Sequence, residues 1–585
     1  MISYYNTTFK PIVMKKIFTL LFIAVLFCFN ANAQTNDLLK YIPQKAGIII
    51  DIDGGSLSQK LSRQDLMELK FLDSLFKKAK AESKEKFVDP SESGINNHDH
   101  FYIIFDMKKD DENGSFTIFG KVSDESKLSQ ALEKVHDKEV TRKTSGANKM
   151  MISENFLFGW NNSVFVAHAS MPFKKWSGPE TELTPAEKKK QLALSEKKCL
   201  ELLTPKGPTN FAKNFESFVQ TKGDFKIWID NKSMTGDLKK DGPFAMFRMN
   251  NLLQADHKAI IVNFEKGKIV SNSYTYYDES TLSSVQNIYA EKLNADLFKK
   301  IPAGNLFGLY AMSFKPDGVK NFVESSGLLN KFKKDEKEAE SDPLIKQKKP
   351  DFDPMIILDN LKGDIIMAVT FADQVYDDEG ESKNPFSNFN ILLAATIKDE
   401  MKVKKLIDSL TTAIEEKTEK REKEKIDTLE DGGITKHSNF FSDIKPSMKV
   451  ENGTFYLTIS PAKSGEMKLT STNKYDQLYN EYGQRPTLMI FDIKTFMSMM
   501  MGLTKKMPQV EGQSEIFSIF EVFDKMVISG GKFENGAMIT TQEVKFSSAD
   551  ENSLKQMMKM FDLAFSTLSN LKSKGTVKDI ETKEN

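Results

Sequence analysis

The chain opens twice. Leu38-Leu39-Lys40-Tyr41-Ile42-Pro43, followed by the apolar run Ala46 to Asp51, reads as a short helix end, an Ile-Pro break and a buried strand. Leu297-Phe298-Lys299-Lys300-Ile301-Pro302 and the strand Asn305 to Ser313 repeat that phrase. Four further phrases recur in the same order. Val122-Ser123-Asp124-Glu125 matches Ile397-Lys398-Asp399-Glu400, and Ile227-Trp228-Ile229-Asp230 matches Met489-Ile490-Phe491-Asp492. Phe264-Glu265-Lys266-Gly267 matches Phe533-Glu534-Asn535-Gly536, and Asp278 to Leu282 matches Asp550 to Leu554. A chain that carries one pattern twice builds two related cores, and 585 residues are too many for a single ordinary one.

Each half alternates hairpins and meanders with helices, which predicts an α+β fold. In each half a mainly antiparallel sheet carries helices on one face. In the first half the strands are expected at Ala46–Asp51, Phe101–Met107, Ser115–Val122, Met150–Ser153, Asn155–Phe158, Ser163–His168, Asp224–Asp230, Ala259–Glu265 and Lys268–Tyr277. Leucines near helical spacing predict one helix from Ser56 to about Ala81. In the second half Gly363–Ala372, Phe389–Ile397, Gly433–His437, Met448–Ser460, Thr487–Asp492, Lys525–Lys532 and Ala537–Phe546 follow the same order. Asn-Gly turns at Asn113-Gly114, Asn452-Gly453 and Asn535-Gly536 punctuate the hairpins. The expected division is a first domain over 34–296 and a second over 297–572. The second contains a polar, mobile insertion at 331–350, and a polar tail spans 573–585.

The N-terminus predicts an address. Lys15-Lys16, the apolar run Ile17 to Phe29 and Ala31-Asn32-Ala33 have the form of a signal peptide over residues 1–33. Phe27 before Cys28 argues against a lipid anchor, which needs a small residue there. Past this segment no apolar run reaches spanning length, so the processed chain is not expected to be an integral membrane protein. Basic and acidic residues balance at 82 each, which removes any global field for nucleic acid.

Chemistry is sparse. His98-Asp99-His100 is the one cluster that could ligate a metal, because residues two apart on a strand share a face. Set against it is a solvent-exposed strand entrance, and six histidines in the whole chain leave little for a relay. Cys199, flanked by lysines, could be a nucleophile or could simply fill an apolar helix face. No nucleotide-binding loop, nucleophile elbow or zinc-protease helix occurs, and no cofactor is expected. Each half does carry a Met/Phe-rich segment after its Trp228 or Phe491 strand. Phe244, Met246, Phe247 and Met249 in one half, with Met497, Met500 and Met501 in the other, are the candidate apolar binding residues.

With the paired openings and duplicated α+β halves in view, the chain resembles a Bacteroidetes family of exported proteins known as domain of unknown function, family 4836. The resemblance covers most of residues 38 to 568 and rests on pattern rather than a sharp motif. It implies an envelope location and supplies no catalytic residues. Asp427-Thr428-Leu429 also resembles a Bacteroidetes O-glycosylation sequon. These readings together favour a non-enzymatic binding or scaffold protein of the cell envelope, meeting an envelope protein or an apolar ligand. The competing expectations are a hydrolase centred on His98, Asp99 and His100, and an apolar-ligand carrier using the Met/Phe segments.

Overall fold

A computed structural model describes residues 37–43, 46–74, 77, 92–106, 113–134, 141–152, 156–172, 184–206, 213–231, 255–325, 358–371, 389–409, 444–461, 474–504 and 519–573. The expected signal segment, the 331–350 insertion, Phe244, Met246, Phe247, Met249, the Gly433–His437 strand and Asp427-Thr428-Leu429 lie outside these residues.

Two compact units emerge. Unit 1 comprises residues up to 249, 255–276 and 548–585, and unit 2 comprises 250–254 and 277–547. The strands of unit 1 are β1 (Ile48–Asp53), β2 (His100–Asp106), β3 (Asn113–Lys121), β4 (Thr141–Ser145), β5 (Asn148–Ile152), β6 (Phe156–Trp160), β7 (Val164–Pro172), β8 (Phe225–Asp230), β9 (His257–Glu265) and β10 (Lys268–Tyr276). Unit 2 contains β11 (Asn305–Ser313), β12 (Leu361–Phe371), β13 (Phe389–Ile397), β14 (Ile444–Glu451), β15 (Thr454–Pro461), β16 (Thr487–Asp492), β17 (Phe523–Glu534) and β18 (Ala537–Phe546).

The sheets share one order. Unit 1 runs β10-β9-β8-β1-β2-β3-β7-β6 and then continues to β5 and β4, every pair antiparallel. Unit 2 runs β18-β17-β16-β11-β12-β13-β15-β14, again antiparallel throughout. Eight strands thus occupy equivalent places in the same chain order, which is the architecture a duplicated α+β chain requires. The β4 edge has no counterpart among the described residues of unit 2. It escapes sequence reading because Thr-Arg-Lys-Thr-Ser has no apolar alternation and lies fully exposed, as suits an edge kept from further pairing.

The helices, in chain order, are α1 (Gly54–Lys60), α2 (Arg63–Met67), α3 (Glu125–Lys134), α4 (Pro185–Leu203), α5 (Lys213–Gln220), α6 (Glu279–Gln286), α7 (Ala295–Phe298), α8 (Pro316–Ser325), α9 (Asp476–Tyr482), α10 (Ile493–Thr504) and α11 (Ser553–Ser573). The single helix expected from Ser56 is broken. Leu61 turns extended and Ser62 restarts the chain with a reciprocal Ser62/Asp65 capping box. Two of the three expected Asn-Gly turns hold: Asn452 and Gly453 have φ of 51° and 69°, and Asn535 and Gly536 of 50° and 77°, the paired positive angles of a tight hairpin turn. Asn113 and Gly114 instead open β3, where they pair with Pro172 and Met171, because the ladder to β7 runs past the end of the β2–β3 pairing.

The units also trade their last helices. α6 follows the final hairpin of the first repeat yet belongs to unit 2, whereas α11 follows the final hairpin of the second repeat yet belongs to unit 1. The boundaries therefore fall at 276/277 and 547/548 rather than at 296/297. Burial explains the placement of α11. Leu554 and Met558 complete an apolar cluster with Leu61, Leu66, Leu69 and Leu72. Asn552 Nδ2 donates to the Phe264 carbonyl at 2.9 Å, and Gly267 N–H donates to the Glu551 carbonyl at 2.8 Å.

Each unit has its own core. In unit 1, Phe101, Phe158 and Phe165 pack with Leu128 and Leu132 of α3. In unit 2, Leu309, Ile366, Leu392, Leu488 and Ile490 pack beneath Leu297, Phe298 and Tyr482 from α7 and α9.

Candidate functional site

Strand alternation puts Ile49, Asp51 and Asp53 on one face of β1, and the register seats Asp51 opposite both Tyr102 and Lys226. The result is a charged group inside a sheet core. Asp51 is 0% exposed and Lys226 is 2% exposed. One Asp51 oxygen meets His100 Nδ1 at 2.6 Å, and the other lies 2.8 Å from Lys226 Nζ. Lys226 also donates to the Val219 carbonyl at 3.0 Å and stands over the Phe218 ring.

Burial by itself would raise the Asp51 pKa, but the His100 hydrogen bond and the charges of His100 and Lys226 outweigh it and hold the carboxyl below its usual range. His100 shifts the other way. Desolvation works against its proton, yet the Asp51 hydrogen bond and the nearby Asp51 and Asp53 charges raise its pKa above that of an ordinary imidazole.

A second closed charge sits nearby. Asp224, 1% exposed, accepts from Ser56 Oγ, from Lys60 Nζ at 2.6 Å and from the Phe264 N–H at 2.6 Å. Asp53 caps α1 through the Ser56 N–H at 2.9 Å. These carboxylates hold elements together, each using its oxygens on neighbours within unit 1.

The three residues singled out as a metal candidate do not converge. Residues 97–99 lie in a turn and β2 begins only at His100, so the shared-face argument for His98 fails. Asp99 pairs with Lys121 at 2.7 Å and accepts the His100 N–H. His98 Nδ1 is buried without a hydrogen-bond partner, and desolvation lowers its pKa. Among the described residues no group of three metal-ligating side chains comes together. Sequence reading missed the true partner of His100 because Asp51, which His100 shares with Lys226, is distant in the chain; the only signal was a lone acid in Ile48-Ile49-Ile50-Asp51-Ile52 and a lone base in Phe225-Lys226-Ile227-Trp228.

Cys199 is likewise a packing residue. It is fully buried, and burial followed by the Glu196 charge pushes its thiol up to about 12, opposite to the effect expected of neighbouring lysines. Its sulfur stands over Gly159, where an added Cβ would lie only 2.3 Å away. Of the apolar candidates, Met497 is buried, beside Phe496, whose ring packs near those of Phe307 and Phe491. The side chains of Met500 and Met501 lie outside the described residues.

The exposed apolar surface is elsewhere. On the outer face of unit 2 the register aligns Met448, Leu457, Leu393, Met367, Tyr310, Met489 and Ile528 in one row across seven strands. Its middle is open: Tyr310 is 40% exposed, Met367 45% and Met489 43%. The sequence signal was present, since these strands are apolar at both alternating positions, but it equally fits a sheet covered on both faces.

No curated protein matches the chain in sequence. The family model described as "Domain of unknown function (DUF4836)" matches residues 40–369, more than half of the chain. Among solved structures, crystal form IV of TP0453 is 10% identical, with 45% of this chain and 89% of that one covered at a TM-score of 0.24. Crystal form I of TP0453 is 10% identical over 42% and 80% of the two chains at 0.23. At such scores the likeness carries no argument.

Proposed function

The chain belongs to this family of unknown function, and from that premise we propose that it is an exported, non-enzymatic binding or scaffold protein of the cell envelope. Its binding surface is the outer sheet face of unit 2. The observation that carries this reading is the row centred on Tyr310, Met367 and Met489, three large apolar side chains exposed side by side. Contiguous apolar surface of this kind marks contact with another protein or an apolar ligand. Of the groups the competing hydrolase reading would use, His100 is bound to Asp51 and Asp99 to Lys121 inside unit 1. The basic and apolar segments before Ala33 support export.

Two measurements test this. A reporter fused after Ala33 should appear in the envelope fraction, and retention in the cytoplasm would sink the export half. A photoreactive residue at position 489 should give one discrete crosslinked product in envelopes, whereas the same group at position 402, an exposed position of the helix over 400–409, should not. Equal labelling at both positions would sink the binding half. Native mass spectrometry of the crosslinked species tells a lipid from a protein.

A further inference from the structure

We infer that unit 2 holds a second site, a polar cleft that binds a small hydroxylated oxyanion such as a sugar phosphate or sugar carboxylate. The cleft encloses about 480 Å³ between the end of α7, the start of β12, the end of β13 and the β14–β15 turn, a size within the usual range of small-molecule sites. Its floor is Asp364, whose oxygens accept from Ser313 Oγ at 2.6 Å, Asn294 Nδ2 at 3.0 Å and Thr396 Oγ1 at 3.1 Å. Asn294 is also committed, its side-chain oxygen capping α7 through the Asp296 N–H. The floor is therefore rigid and its hydrogen bonds are spoken for.

The walls differ. Of the three lysines lining the cleft, Lys299 pairs with Asp296 at 3.3 Å. Lys300 and Lys362 make no ion pair with a described residue. The acid whose field reaches Lys300, Glu451, is already held by Lys449 at 3.0 Å. Lys362 reaches across toward the turn, its Nζ lying 3.5 Å from where a Cβ on Gly453 would stand. Glu400, which accepts the Gly453 N–H of that turn at 2.6 Å, has its other oxygen 3.9 Å from Lys404. Among the lining residues, Lys300 and Lys362 are thus left with one carboxylate, Asp364, that three neutral donors already serve. The surplus is positive, and the natural partner is an anion. Asn452 and Thr454 on the same wall offer an amide and a hydroxyl, which suit an anion that also carries hydroxyl groups. The equivalent corner of unit 1 is built differently: His100 and Lys121 occupy the places of Asp364 and Thr396, and Lys121 is consumed by Asp99.

Calorimetric titration of the full chain at low salt with glucose 6-phosphate, glucuronate, glucose and inorganic phosphate tests the assignment. One of the two sugar anions should bind saturably and at least ~10-fold more tightly than glucose or phosphate; the tighter of the two identifies the anion. Lys300→Gln with Lys362→Gln should weaken that binding at least ~10-fold, while Lys402→Gln, on the exposed helix over 400–409, should leave it unchanged. Both positions are at the surface or half-buried, and circular dichroism checks that the double variant keeps its fold. Absent binding, wild-type affinity in the double variant, or phosphate binding as tight as the sugar anions would overturn the proposal.

Discussion

Two strands at the centre of the two units differ at one place that matters. In unit 1, β1 carries Asp51 opposite Lys226 and Tyr102; in unit 2, β11 carries Ala311 opposite Leu488 and Ile366. The positions correspond because Ile49 faces Trp228 as Leu309 faces Ile490. A bulge between Leu306 and Gly308 adds one residue to β11, so the opening phrases align Asp51 with Tyr310 while the sheets align it with Ala311. The same fold therefore closes over a buried ion pair in one copy and over plain aliphatic packing in the other. The fold does not need the charges. A buried pair is weak evidence for stability, since desolvation offsets most of its attraction.

The sharpest way to break the comparison is to give unit 1 the residues of unit 2. Asp51→Ala alone strands the Lys226 ammonium in the core and should cost about 3–5 kcal/mol in urea-induced unfolding. Adding Lys226→Leu should recover most of that loss, because the pair is then apolar as in Ala311 and Leu488. A double variant no more stable than the single one would mean that Asp51 holds unit 1 together in a way the unit 2 sheet does without.

A smaller effect separates the units by pH. Five of the six histidines precede Tyr277, and the remaining one, His437, lies outside the described residues. His100 has a raised pKa in the fold, so its contribution to stability is complete below about pH 6.5. It is lost as the pH rises through the folded value. His168 behaves oppositely. Burial, and then the Lys198 charge, lower its pKa to about 4 while Thr117 Oγ1 holds Nδ1 at 2.8 Å. Stability is therefore lost as the pH falls from about 6.5 through that value. Urea midpoints of His100→Gln and His168→Gln relative to the unsubstituted chain should accordingly move in opposite directions between pH 4 and pH 8. A flat difference for both would show that neither group changes its proton affinity on folding.

The smallest effect lies on the outer faces. Met489→Glu places a charge at a site already 43% exposed and should change stability by no more than ~0.5 kcal/mol. Ile227→Glu, at the corresponding half-buried place in unit 1 beside Ile50, should cost more, because its carboxylate is partly desolvated. Equal costs would mean that the two outer faces are covered alike.

Much of this molecule was legible as a string. The duplication, the α+β class and the Asn-Gly turns at 452–453 and 535–536 rest on local chemistry, where a few neighbouring residues decide the backbone. Non-local facts were not legible. His98-Asp99-His100 looked like a unit only because the residues are adjacent. Folding sends them to separate partners, and His100 finds Asp51 from another strand, which Lys226 reaches from a third. Likewise, the Met-rich run drew the eye to Met497, which is buried, while the exposed row is assembled from single residues on seven strands. The sequence by itself determined that there would be two related sheets and where most of their turns would fall. Only the tertiary structure decided which unit each last helix completes, which charges are buried and which apolar face is open, because burial depends on what packs from a distance and local propensity carries no record of it.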